Sequence, residues 1–315
     1  MSTYIWEGLG STASVDYDWS EGSNWLSEDG VQYVYPPDDG DIVYLFDTSN
    51  SVLYGLNQVG VDLAELHIHQ SFTGYLGDNV LNQGDYLQIG STLVWIGEHD
   101  SQSSPVGSGR ILLDLGSTAS TVNVVNSKTS AQEPNKTPVR LLFDNAASTL
   151  NVKKGLVGVG LDHPGEISTI GTINVSYLNN KSTDARVWVG EDVTLTTWLQ
   201  SGGDNKLGSG CTTCTINDGK LAITGIGNYT TLYCYGSGEL DYRSTGTITT
   251  LHVSGKADLS KDLRARTITN CTLYKGANLS AHDNVTFTNG IVLANGVGLS
   301  DVTLDIGKSH TLTIT

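Results

Sequence analysis

TINDGKLAI (215–223), LYCYGSGELDY (232–242), LHVSGKADLS (251–260), LYKGANLS (273–280) and VLANGVGLS (292–300) align beneath one another. Each line is a short apolar run, a turn containing glycine, and then a leucine. The leucines are Leu221, Leu240, Leu259, Leu279 and Leu299, spaced 19, 19, 20 and 20 residues apart. The turn glycines Gly219, Gly238, Gly255, Gly276 and Gly296 keep nearly the same step. A repeat of this length is the signature of a stacked architecture. One turn of about 20 residues cannot bury its inward side chains alone, but neighbours at the ~4.8 Å strand spacing can cover them. The leucines are then expected to form an internal ladder. Glycine is expected where the chain corners and needs positive φ or room for a neighbouring backbone. A sandwich or up-and-down barrel needs no such register. The expected fold is all-β, a parallel β-solenoid (a right-handed β-helix) with coils of about 20 residues.

Working outward, the same strand, glycine and strand grammar recurs at 186–199, 149–160 and 167–178, and in LAELHIH (63–69) and YLQIGSTLVWIG (86–97). Between these runs lie polar stretches expected to bulge as loops: 101–109, 126–138 and 199–210. The first fifty residues differ. They hold Trp6, Trp19 and Trp25, a Tyr-rich stretch at Tyr33 and Tyr35, and Pro36-Pro37-Asp38-Asp39-Gly40-Asp41. Buried tryptophans here would close one end of the stack, whose strand edges would otherwise stand unpaired. Residues 1–51 are therefore expected to form a Trp-rich N-terminal cap, and 52–315 the solenoid.

Composition agrees. The chain has 315 residues, of which 37 are glycine, with 16% charged and 38% apolar residues. Its Thr, Ser, Asn and Val content suits strands and turns better than helices. A net charge of −16 argues against nucleic acid, which requires clustered Lys and Arg. No apolar run is long enough to span a bilayer as a helix. MSTYIWEGLGSTASVDYDW lacks the basic and apolar regions of a secretory signal.

The series Trp6-x-Gly8, Trp19, Asn24-Trp25, Pro37, Gly40-Asp41 and Val43 resembles the W-x-G…W…NW…P…GD-x-V motif that opens many β-helical proteins of the autotransporter-passenger-like and phage structural type. The resemblance implies a solenoid-bearing surface or virion protein and assigns no chemistry. Secreted relatives carry a signal peptide and an outer-membrane barrel, and neither is visible here. The expectation is a non-enzymatic virion component assembled in the host cytoplasm, with the cell surface as the alternative location. Capsid decoration is the first role and a glycan-contacting tail spike or fibre, potentially a depolymerase, the second. Trp6, Trp19, Trp25, Pro37 and Asp41 are the candidates for cap and contact. Partners would be capsid or tail proteins. A homo-oligomer is expected, a trimer by phage analogy, because HTLTIT (310–315) is an alternating strand that invites coverage.

Candidate chemistry is sparse, and no catalytic, cofactor or metal residue is assigned. Cys211-Thr212-Thr213-Cys214 with Cys234 and Cys271 suggests zinc, yet the second pair is split by 36 residues. Zinc and a disulfide stay open, but stacking of Cys214 on Cys234 as small apolar side chains carries more weight. Glu65, His67 and His69 share one face of a strand, either as an incipient metal site or as a polar outer face. Glu98-His99-Asp100 and Asp162-His163 read as solvated loop residues. Glu239, Asp241 and Asp258 could form a hydrolytic carboxylate set on neighbouring coils, although Asn278 and Gly298 fill equivalent repeat positions. Asp38-Asp39-Gly40-Asp41 and Gly202-Gly203-Asp204-Asn205 are conceivable calcium loops that match no known calcium repeat.

Overall fold

The computed structural model describes residues 1–9, 16–77, 86–97, 110–129, 137–161, 167–177, 184–307 and 310–314. The fold is all-β with parallel strands, and its helical content among these residues is two short 3₁₀ turns, Gly22–Asn24 and Leu299–Asp301. No helix among the described residues is long and apolar enough to cross a membrane. The chain divides into two compact units, Met1–Gly171 and Thr172–Thr315.

In Met1–Gly171, strand Thr3–Trp6 pairs antiparallel with Trp25–Leu26 and parallel with Ile42–Leu45. Parallel pairing then runs through Asn57–Ile68, Leu87–Ile96, Thr121–Val124 and Asp144–Val152. It therefore begins ahead of residue 52. The alternation of these strands turns one set of side chains inward, in two fully buried ladders. Val43, Leu66, Val94, Val122 and Leu150 form one, and Leu45, Ile68, Ile96, Val124 and Val152 the other. A second stack, Leu87, Leu113, Leu141 and Val159, is equally buried. Where the chain bends, Ser120 Oγ donates to Ser91 O at 2.7 Å, and Ser120 N donates to Ser148 Oγ at 3.1 Å. These buried hydroxyls replace the ladder bonds the bend breaks.

Trp6, Trp19 and Trp25 are buried in one cluster. The Trp25 ring lies edge-on to Trp6 at 4.8 Å and to Trp19 at 4.6 Å. Such pairs add about 0.5–1.5 kcal/mol each beyond burial. Trp25 Nε1 donates to Trp19 O and Trp6 Nε1 to Asn50 O, both at 2.9 Å. Pro37 is buried. Asp41 accepts from Ser2 N at 2.6 Å and Asp38 N at 3.1 Å, tying the first strand to the turn before the third.

In Thr172–Thr315 one inward ladder runs Trp198, Cys214, Leu232, Leu251, Cys271 and Ile291, all but Cys271 fully buried. A second runs Asn205, Leu221, Leu240, Ala257, Leu279 and Leu304. This corrects the expected leucine ladder at two positions. Ala257 takes the rung assigned to Leu259, which pairs with Ala281 two residues further along the same face. Leu304 takes the rung assigned to Leu299, which stands 53% exposed in a 3₁₀ turn. Constant sequence spacing misled because register follows the inward pattern while the intervening turns change length. Successive rungs lie 16 to 25 residues apart here and 18 to 31 in Met1–Gly171, so a uniform step of 20 does not hold.

Two further expectations change. Residues 199–210 are not a projecting loop, because strand Val193–Leu207 runs through most of them. Asn205, fully buried, makes this possible by accepting from Val187 N at 2.8 Å and donating to Gly202 O at 3.1 Å. Cys214 stacks on Leu232, and Cys234 on Ile216, rather than on each other. The loop 101–109 and most of 126–138 lie outside the described residues, although Asn126 and Ser127 are buried.

Candidate functional site

The parallel register also aligns outward side chains. Asn57, Gln88, Asp114 and Leu142 occupy one row across four neighbouring strands. The row lines a cavity of about 420 Å³ together with Tyr54 and Tyr86, within the ~300–1,000 Å³ range of small-ligand sites. A hollow of about 120 Å³ lined by Asp62, Gly90 and Thr118 shares Gln88 and Asp114 with it. Tyr54 is 58% exposed, and its backbone is fixed by Trp19 N donating to Tyr54 O at 3.0 Å. Tyr86 is largely buried. Asp114 Oδ1 accepts from Gly116 N at 3.0 Å, which fixes its carboxylate, and Gln88 Nε2 stands 3.5 Å from Asp114 Oδ2. In the adjoining hollow Thr118 Oγ1 donates to Asp62 Oδ1. An exposed tyrosine beside a row of amide and carboxylate groups can cover a ring and hydrogen-bond its substituents.

Sequence reading did not single out this row. Gln88 and Asp114 sit at ordinary outward positions of LQIG and ILLD, and the steps between rungs are too irregular for a spacing search. The only signal was polarity at outward strand positions, with a tyrosine two residues before Gln88 and three before Asn57.

The residues that were singled out are placed as follows. Glu65 and His67 do meet, Oε2 to Nε2 at 2.7 Å. The His67 ring is flat against Tyr44 at 4.5 Å and sits in register between Tyr44 and Trp95. His69 lies 5.6 Å from Phe46 and lines a separate hollow with Thr3, Ile5 and Glu28. Among the described residues no three His, Cys, Asp or Glu side chains converge as a metal set. Glu98-His99-Asp100 and Asp162-His163 lie outside the described residues.

Asp241 and Asp258 are register partners, bridged by Lys261 Nζ at 2.9 and 3.5 Å. Arg243 adds two hydrogen bonds to Asp241 at 3.0 and 2.7 Å. Burial pushes the Asp241 pKa up, but Arg243 and Lys261 outweigh it and hold the carboxyl below its ordinary value. Asp258 behaves alike, burial being outweighed by Ser260 and Lys261. Glycosidic cleavage requires one carboxyl that keeps its proton near neutral pH, and this pair is built to lose both. Glu239 is half-exposed, 3.6 Å from Lys256.

The four cysteines are free and buried. Burial pushes the Cys214 thiol well up, and those of Cys234 and Cys271 to about 12, so these three stay protonated and unreactive at neutral pH. The carboxylates of residues 38–41 hold backbone groups. Asp38 Oδ1 accepts from Asp39 N at 2.9 Å and Asp39 Oδ1 from Asp62 N at 2.8 Å.

A second outward aromatic row lies in Thr172–Thr315. Tyr233 and His252 stack at 5.0 Å, and Tyr274 Oη lies 3.2 Å from His252 Nδ1. Compared with known proteins, the chain matches no family model, no curated protein and no solved structure.

Proposed function

We propose that each unit is a stack of coils of a right-handed β-solenoid, that the Trp6–Trp19–Trp25 cluster caps the stack of Met1–Gly171, and that the chain is a non-enzymatic structural component of a phage particle. The parallel ladders support the solenoid, and right-handed crossovers are the hand in which parallel strands pack. The resemblance of residues 6–43 to the β-helical opening motif supports the particle. Between the two roles considered, contact with a host surface glycan is the better supported. The observation that carries it is the cleft of Tyr54 and Tyr86 over Asn57, Gln88 and Asp114, since capsid decoration calls for no such groove.

Decoration is the second reading. It is favoured by Val31, Val34 and Tyr35, which stand 64%, 79% and 75% exposed beside the cap as an apolar footprint for another virion protein. Co-sedimentation separates the two. The purified chain mixed with host cells should pellet with them saturably, and removal of their surface glycan should abolish this. Saturable binding to capsids at fixed copy number, with none to cells, would overturn the receptor reading.

A further inference from the structure

We infer that the cleft over the Asn57–Gln88–Asp114 row selects an uncharged saccharide carrying adjacent hydroxyl groups. This rests on the receptor reading and specifies its ligand. The row repeats at the ~4.8 Å strand spacing, so it presents amide, amide and carboxylate at regular intervals along one line. The 3.5 Å separation of Gln88 Nε2 from Asp114 Oδ2 is at the limit of a hydrogen bond. A ligand hydroxyl fits there, donating to the carboxylate and accepting from the amide. A neighbouring hydroxyl would reach the next rung, where Asn57 is exposed. The exposed Tyr54 ring offers an apolar face to the C–H face of a sugar, and Tyr86 and Leu142 complete the lining.

Charge narrows the class. The described lining of the cleft and the adjoining hollow contains Asp62 and Asp114 but neither Lys nor Arg. Uronate, sialylated or phosphorylated sugars would bring an anion against these carboxylates with no cation to neutralise it. A purely apolar ligand would leave the amides and carboxylate without hydrogen bonds.

The test uses the full chain and two sets of probes, neutral gluco-, manno- and galacto-oligosaccharides and the matching uronic-acid oligosaccharides, titrated by calorimetry. At least one neutral set should bind, with its uronate counterpart about tenfold weaker or worse. Tyr54→Ala should weaken neutral binding about tenfold. Asp114→Asn keeps the oxygen that accepts from Gly116 N, and it should narrow the gap between neutral and uronate probes. Tyr274→Ala, in the other unit, should bind as the unaltered chain does, and circular dichroism checks that each variant is folded. Equal or tighter uronate binding overturns the neutral class. Unchanged binding by folded Tyr54→Ala and Asp114→Asn overturns the site while leaving the receptor reading standing. Failure to bind either set overturns the inference, and failure to bind host cells as well removes the receptor reading.

Discussion

Leu279 and Leu299 are equivalent by spacing, yet replacing each by alanine should have very unequal consequences. Leu279 is fully buried, with Ala257 on one neighbouring strand and Leu304 on the other. Truncation would leave alanine beside alanine, and strands held at ~4.8 Å by their hydrogen bonds cannot close the gap. The cost should lie within the range for buried leucines that leave a persistent cavity, about 3–4 kcal/mol. Leu299 is 53% exposed, so its truncation should cost within about 0.5 kcal/mol. Stacked strands can open locally, so amide hydrogen exchange accompanies urea unfolding. In Leu279→Ala, amides of Lys256–Leu259, Asn278–Ala281 and Thr303–Ile306 should exchange roughly 10²–10³-fold faster. In Leu299→Ala they should not change. Equal losses in the two variants, or a loss below about 1 kcal/mol at Leu279, would refute the register.

Gly246→Ala should prevent folding or cost several kcal/mol, because an added Cβ would sit on the Gly227 carbonyl oxygen; soluble yield and melting temperature read this. Asp241 titrates below its ordinary value in the folded chain, so its ion pairs stabilise above about pH 4 and are lost as pH falls through the folded pKa. Asp241→Asn should therefore cost about 1–2 kcal/mol at pH 7, its cations being half-exposed, and the difference should shrink in urea titrations below about pH 4. The four buried thiols should ignore a disulfide reagent in the native chain at pH 8 and react fully in denaturant. Fast native reaction at Cys214, Cys234 or Cys271 would contradict their burial.

Much of the fold was legible because inward apolar residues recur on alternating strands. Leu221 and Leu240 do stack, and the tryptophans of the opening segment do gather. Leu259 and Leu299 mislead because a leucine two residues along a strand keeps the same face, and one in a turn keeps the same spacing. Residues 199–210 mislead because Asn205 fills an inward position with an amide that satisfies backbone groups, so a buried strand reads as a polar loop. Glu65 with His67 was readable from alternation alone. The cleft was not, since it depends on which of three polar residues, 26 to 31 positions apart, share a rung.

A crystal structure of the chain soaked with neutral oligosaccharides released from the host cell surface would test the binding account most directly. A sugar ring against Tyr54, with hydroxyls on Gln88 and Asp114, is the expected result. An empty cleft with the sugar bound elsewhere, or with no sugar bound at all, would contradict it.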